Sequence, residues 1–291
     1  MKRKIPQVLI NLFFIIASLS FVIPFLMVVA ISISNEADVV NYGYSIIPRH
    51  IDFSAYKMLF QNFGDMAWAI VFTMFVSLVG PFGTAVVCAM MAYPLSRPDF
   101  KWRNVISTIM VITMLFSGGL IPKYILNTQY LHLNNTVWIY LIPGVSAFGV
   151  ILYRTFFSQI PVSLIESAKI DGATNMQILR KIIVPMSMSI IMIQVFQGVV
   201  AGCNAWETSL YYITDKKLYT LQYLMQMYLK YSTNVQKLIM ENPNFAGSIE
   251  LVPVETLRYA MAVVSMIPVF VVFPPMQQYF AKGITAGAVK G

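Results

Sequence analysis

The sequence predicts an all-α membrane protein with six transmembrane helices and both termini on one side of the bilayer. Three observations carry that reading. Hydrophobic residues fill 58% of the 291 positions and charged residues only 11%, for a mean hydropathy of +0.69. That is more apolar surface than a water-soluble core can hide. The apolar residues are gathered into runs of roughly 20 residues or more, the length of helix that crosses about 30 Å of hydrocarbon. The basic residues lie mostly in segments between alternate runs.

The runs fall at about 8–33, 66–95, 105–125, 136–157, 185–206 and 257–280. None alternates polar with apolar positions as a barrel strand does, so helices are how this backbone satisfies itself in lipid. Lys2-Arg3-Lys4 before the first run resembles the start of a signal peptide. The run exceeds a signal peptide's apolar region, however, and is read as a retained first span. Pro24, Pro81, Pro143, Pro268, Pro274 and Pro275 are expected to kink or end helices. The whole chain, 1–291, is read as one transmembrane domain without internal repeats.

Orientation follows from the basic residues. Lys2, Arg3, Lys4, Arg97, Lys101, Arg103, Arg154, Lys169, Arg180, Lys181, Lys282 and Lys290, twelve of twenty, fall on the side shared by the termini. The positive-inside rule makes that side cytoplasmic. The opposite loops, about 34–65 and 207–256, hold most of the acidic residues. Within the second, 221–229 places apolar residues at helical spacing. It reads as a short amphipathic helix on the membrane surface or against a partner, or equally as a helix that packs the loop.

Several function classes find no support. The net charge of +8 is scattered between apolar runs and explained by topology, so nucleic acid is not an expected partner. Cys88 and Cys203 lie far apart in apolar runs and read as buried thiols rather than a disulfide or metal site. His50 and His132 read as solvated loop histidines, and the nineteen methionines as gap fillers, so no metal is expected. No Asp or Glu interrupts the interior of any run, which argues against an ion-coupled secondary transporter. No paired His and Glu or Ser and His stands in the spans, as an intramembrane enzyme would need. No Gly-x-x-x-x-Gly-Lys-Ser/Thr cradle is present, so any nucleotide is handled by another polypeptide.

The informative stretch is 161–185, Pro-Val-Ser-Leu-Ile-Glu-Ser-Ala-Lys-Ile-Asp-Gly-Ala-Thr-Asn-Met-Gln-Ile-Leu-Arg-Lys-Ile-Ile-Val-Pro. Pro161 in the first turn, with Ser163 or a neighbour as cap, favours a short helix to about Ile170. Gly172 after Asp171 supplies the left-handed residue that ends it. A second helix is expected from Thr174 to about Ile182, with Pro185 at its junction with the next span. The product is a helix-turn-helix elbow.

Here the sequence resembles the permeases of bacterial ATP-binding-cassette importers, whose signature is Glu-Ala-Ala, three residues, Gly, nine residues, Ile, one residue, Leu-Pro. Glu166-Ser167-Ala168, Gly172, Ile182 and Val184-Pro185 match it at the family spacing, with Ser167 and Val184 as two small departures. The ending Gly-Ala-Val-Lys-Gly, 287–291, resembles the maltose-type carbohydrate permeases. The resemblance implies a six-span, type I importer permease fold in the bacterial cytoplasmic membrane. It further implies that the elbow is a coupling helix, with Glu166, Ser167, Ala168, Asp171, Gly172, Ala173, Ile182 and Pro185 as the ATPase-coupling residues. The implied partners are a second, homologous permease in a heterodimer, two ATPases that bind ATP and Mg, and an extracytoplasmic solute-binding protein. A carbohydrate, expected as an oligosaccharide, is the implied substrate, with a polyol, glycerol phosphate or another small solute as the alternative. No cofactor is expected in this chain.

The translocation route is less legible. Asn204, Trp206 and Glu207 place an amide, an indole and a carboxylate at the outer end of the fifth run, where polar groups are costly and often functional. Trp206 equally suits an interfacial belt. Gly118-Gly119 before Pro122 reads as an unwound gate segment or as close helix packing.

Overall fold

The computed structural model describes residues 4–61, 63–116, 118–142, 144–241 and 253–288. Lys2, Arg3, Pro143 and Lys290, on which parts of the sequence reading rest, lie outside them. In chain order the α-helices are α1 (Lys4–Ser32), α2 (Glu36–Tyr42), α3 (Ser54–Leu59), α4 (Phe63–Leu95), α5 (Arg103–Leu115), α6 (Leu120–Ile125), α7 (Trp138–Leu141) and α8 (Ala147–Phe157). They continue as α9 (Val162–Ile170), α10 (Asn175–Ile178), α11 (Val184–Met186), α12 (Met188–Asn204), α13 (Glu207–Tyr212), α14 (Leu221–Glu241) and α15 (Val254–Ala288). The described residues are thus all-helical apart from one isolated bridge, Ser34 to Ile51.

Three helical stretches are long and apolar enough to cross a bilayer alone, Gln7–Ser32, Gly64–Leu95 and Val254–Tyr279. Three bent pairs pass the same test together: Arg103–Leu115 with Leu120–Tyr130 (113°), Ala147–Phe157 with Val162–Ile170 (81°), and Asn175–Met186 with Met188–Asn204 (80°). The chain therefore has up to six candidate spans. None of the α1 window is buried within the chain, as befits a helix whose solvent is lipid. Helices α1, α4 and α15 run through Pro24, Pro81, Pro94, Pro268, Pro274 and Pro275 without ending.

Three of the apolar runs are not continuous helices, and the one at 185–206 breaks at Ser187 between α11 and α12. The run at 105–125 breaks after Leu115, and Gly119 at φ +84° starts α6. The run at 136–157 contains the four-residue α7, and α8 begins only at Ala147, where Ser146 Oγ accepts from the Gly149 amide at 3.1 Å. Hydropathy registers depth in the membrane but not the turn chemistry that interrupts a helix there.

The described residues form two compact units, one from 1–68 with 224–267 and the other from 69–223 with 268–291. In the first, Asn35 caps α2 by accepting from the Ala37 amide at 3.0 Å, and Asp52 accepts from the Ser54 amide at 2.9 Å to start α3. The Glu36 carboxylate then reaches the first turn of α15. It accepts from the Glu255 and Thr256 amides at 2.9 and 2.8 Å and from the Thr256 hydroxyl at 2.7 Å. Free amides and the positive helix end make this a favoured place for a carboxylate. His50, read as a solvated loop histidine, is exposed but holds Asp38 at 2.8 Å through Nδ1.

The second unit is built on a buried cluster that draws Cys88 and Ala92 from α4, Val150, Tyr153 and Phe157 from α8, and Val195 and Val199 from α12. Tyr153 and Phe157 stack at 5.9 Å. Arg97 donates through Nη2 to the Phe157 carbonyl at 3.2 Å, so a loop cation satisfies the end of α8 as well as marking a side of the membrane.

Replacing Glu36 by Ala leaves three donors at the start of α15 without their acceptor. The loss is expected to cost about 1–3 kcal/mol, read as a lower midpoint of thermal unfolding for the detergent-solubilised chain. An unchanged midpoint would mean that water replaces the carboxylate at no cost.

Candidate functional site

The stretch 161–185 forms an elbow whose geometry can be traced residue by residue. Pro161 stands at the N-cap of α9 with no side-chain cap, so Ser163 does not play that part. The end of α9 is closed by two backbone bonds, Ala173 N–H to the Ala168 carbonyl at 2.9 Å and Gly172 N–H to the Lys169 carbonyl at 3.1 Å. With Gly172 at φ +80°, this is the Schellman arrangement, which demands a left-handed residue at that point. Two residues on, Thr174 caps α10 in a reciprocal box: its hydroxyl accepts from the Gln177 amide at 3.3 Å, and the Gln177 carboxamide accepts from the Thr174 amide at 2.7 Å.

Beyond α10 the helix widens into a π turn over Leu179–Ile183 and then continues as α11. Pro185 lacks an amide, and its ring crowds the carbonyl four residues earlier. A widened turn immediately upstream accommodates both. The junction with the next helix consequently falls at Ser187 rather than at Pro185.

The motif residues divide by direction. Ile165, Ile178 and Ile183 are buried in the core cluster, and Ala168, Ala173 and Ile182 pack against it. Glu166, Ser167, Asp171 and Pro185 are exposed. Glu166 has no hydrogen bond or ion pair among the described residues, whereas neighbouring Lys169 faces Asp99 at 3.9 Å. Leu164, Ile170 and Met176 are also exposed, Ile170 to 85%. The elbow thus has an anchored side and a free, part-apolar side carrying the Glu166 and Asp171 carboxylates.

A second feature lies within the same unit. A cavity of about 510 Å³ is lined by Ser77, Pro81 and Thr84 of α4, Tyr140, Ser146, and Gln194, Gln197, Gly198, Gly202 and Thr208 along or just beyond α12, with apolar residues between them. The close approach of α4 and α12 rests on glycine, since a Cβ on Gly198 would stand 2.8 Å from Pro81 Cβ. At one end Tyr140 shares a hydrogen bond with Ser209 at 2.8 Å and donates to the Leu218 carbonyl at 3.0 Å.

None of Asn204, Trp206 and Glu207 lines this cavity, although Ala205 and Thr208 do. Asn204 Nδ2 donates to the Val200 carbonyl of its own helix at 2.9 Å, Trp206 is half-buried, and Glu207 is exposed at the start of α13. The polar residues missed by the sequence reading are Gln194 and Gln197. Their signal was available: with Gly198, Ala201, Gly202 and Ala205 they form a polar and small stripe at spacings of three and four along an apolar run. At Gly119 a Cβ would meet nothing within 4 Å, so this glycine serves the unwound segment rather than close packing.

The model of the family described as "Binding-protein-dependent transport system inner membrane component" matches residues 84–285. Over its full length the chain is 34% identical to the full length of the polygalacturonan/rhamnogalacturonan transport system permease protein YtcP of Bacillus subtilis (strain 168). It is 28% identical to the maltose/maltodextrin transport system permease protein MalG of Escherichia coli (strain K12), over 95% of this chain and 92% of that one. Among solved structures, a chain of a bacterial ABC transporter involved in the import of the acidic polysaccharide alginate superposes with a TM-score of 0.74 at 29% identity, covering 95% of this chain and 97% of that one.

Because a Cβ on Gly172 would meet nothing within 4 Å, the penalty for a side chain there is one of backbone conformation. Gly172→Val is expected to destabilise the elbow by about 1–2 kcal/mol, and Gly172→Asn by less, since Asn tolerates the left-handed region. Thermal unfolding of the two variants checks the order; equal effects would contradict it.

Proposed function

Because this chain belongs to the family of binding-protein-dependent transport system inner membrane components, we propose that its elbow couples ATP hydrolysis to oligosaccharide import. The chain is a transport subunit with the helical fold of importer permeases, and the ATPase is a separate polypeptide. Its assembly comprises a homologous sister permease, two ATPases holding ATP and Mg, and an extracytoplasmic solute-binding protein, in a bacterial inner membrane.

Both termini and the elbow face the cytoplasm, a placement supported by Arg97, Lys101, Arg103, Arg154, Lys169, Arg180 and Lys181 in the segments on that side. The observation that carries the coupling role is the division of the motif into an anchored and a free side. Leu164, Ile170 and Met176 offer apolar contact to a groove on the ATPase, and Glu166 meets a basic residue there. The Schellman closure and the capping box hold α9 and α10 at a fixed angle, so displacement of the free side reaches Ile178 and Ile183 in the core. Two positions of Glu166, with the ATPases apart or together, then correspond to two arrangements of the bundle.

The substrate proposed is an oligosaccharide rich in uronic acid. The support is the substrates of two relatives, polygalacturonan/rhamnogalacturonan for one and alginate for the other. Nothing comparable favours a polyol or glycerol phosphate.

The test is ATP hydrolysis by the assembled complex in lipid vesicles, with and without binding protein loaded with an oligogalacturonide. Loaded binding protein is expected to stimulate the wild type. Glu166→Ala is expected to reduce that stimulation by about tenfold or more, the usual consequence of truncating one member of a desolvated charge pair. Full stimulation of the variant would place coupling elsewhere; no stimulation of the wild type by the sugar would remove the substrate assignment.

A further inference from the structure

The cavity between α4 and α12 is unusual for a site at membrane depth. Ser77 is 2% exposed, and although the Cys203 thiol lies beside it, its Oγ makes no hydrogen bond of ordinary geometry. Gln194 Oε1 is likewise buried and unpartnered among the described residues. A buried polar oxygen without a partner costs roughly 1–3 kcal/mol, and hydrocarbon offers no relief. Both residues line the same cavity.

The rest of the lining follows the same chemistry. Gln197, Thr84, Ser146, Thr208 and Tyr140 add amide and hydroxyl groups, and Phe148, Ile139, Ile142 and Val76 add apolar faces. Among the described residues, none that lines the cavity is charged. Gly149 gives the Gln194 carboxamide its place, since a Cβ there would overlap it. Gln197 is exposed while Gln194 is half-buried, so one amide stands nearer the opening and the other deeper. A volume of about 510 Å³ falls within the roughly 300–1,000 Å³ range of small-ligand sites.

We propose that this cavity is a saccharide subsite that reads ring hydroxyls, with the Gln194 and Gln197 carboxamides and the Ser77 and Thr84 hydroxyls as its hydrogen-bonding groups. Amides both donate and accept, as hydroxyl groups do, so one carboxamide serves neighbouring hydroxyls on a ring. The absence of any cation in the lining has a further consequence. This subsite does not select for carboxylates, and the preference for acidic over neutral saccharide resides outside it. The proposal rests on the oligosaccharide reading above and assigns residues to it.

The experiment uses the assembled complex in vesicles and measures the concentration of oligosaccharide, presented on saturating binding protein, that half-maximally stimulates ATP hydrolysis. The probes are a tetragalacturonide and its carboxyl-reduced, neutral counterpart. Gln194→Met and Gln197→Met keep side-chain length and remove the hydrogen bonds. Each is expected to raise the half-stimulating concentration by about tenfold, the worth of one buried hydrogen bond, and by the same factor for both probes. Thr84→Val, isosteric and tolerant of assembly, is expected to give a smaller rise in the same direction. Unchanged half-stimulating concentrations in all three variants would overturn the proposal and leave a cavity that holds only water. A rise confined to the acidic probe would overturn its hydroxyl-reading character. Failure of the wild type to respond to either sugar would instead refute the oligosaccharide reading, which the variants then need not be made to show.

Discussion

A backbone placed in hydrocarbon must find all its hydrogen bonds within the chain, and the architecture follows from that constraint. Helices answer it along the apolar runs. Each interruption then needs its own partners, and three of the described breaks show them: Ser146 accepts from Gly149 at the start of α8, the Ala168 and Lys169 carbonyls are taken up at the end of α9, and Thr174 and Gln177 serve each other before α10. Glu36 does the same for the start of α15 from more than two hundred residues away.

Under that constraint the signature motif has a structural meaning before it has a functional one. Ala168, Gly172 and Ala173 are the residues of a tight helix termination, and Ile165, Ile178 and Ile183 are its anchors in the core. Small side chains at 168 and 173 let the turn lie close to the bundle. What is left over, Glu166 with the apolar residues around it, is the surface presented outward. A coupling device needs such a division, because a free helix would rattle and a buried one would touch nothing. The polar cavity obeys the same constraint in the opposite sense, since unpartnered oxygens at membrane depth are tolerated only where something polar reaches them.

Much of this was legible in the sequence. Apolar runs of span length, the glycine after Asp171 and the spacing of the motif are local signals, and local signals survive in one dimension. The all-helical fold, the family and the elbow's turn followed from them. Other features were not. Glu36 has no periodicity to announce that it caps a helix 219 positions later. Helix α14 extends to Glu241, well past the apolar repeat at 221–229, because Ser232 and Val235 bury a face that hydropathy alone does not reveal. Asn204 is a polar residue at the end of a span whose Nδ2 donates to the Val200 carbonyl of its own helix while the residue itself stays exposed. Gln194 and Gln197 sit inside the run as uncharged amides, which lower its hydropathy too little to mark a site.

The central claim is that the free side of α9 is the surface the ATPases grip. Backbone hydrogen exchange tests it directly, comparing the permease pair alone with the same pair bound to its ATPases, in one lipid environment. The account predicts slower exchange across residues 162–173 when the ATPases are present, centred on Glu166. Identical exchange there, with protection appearing on another cytoplasmic segment such as 96–104, would contradict it.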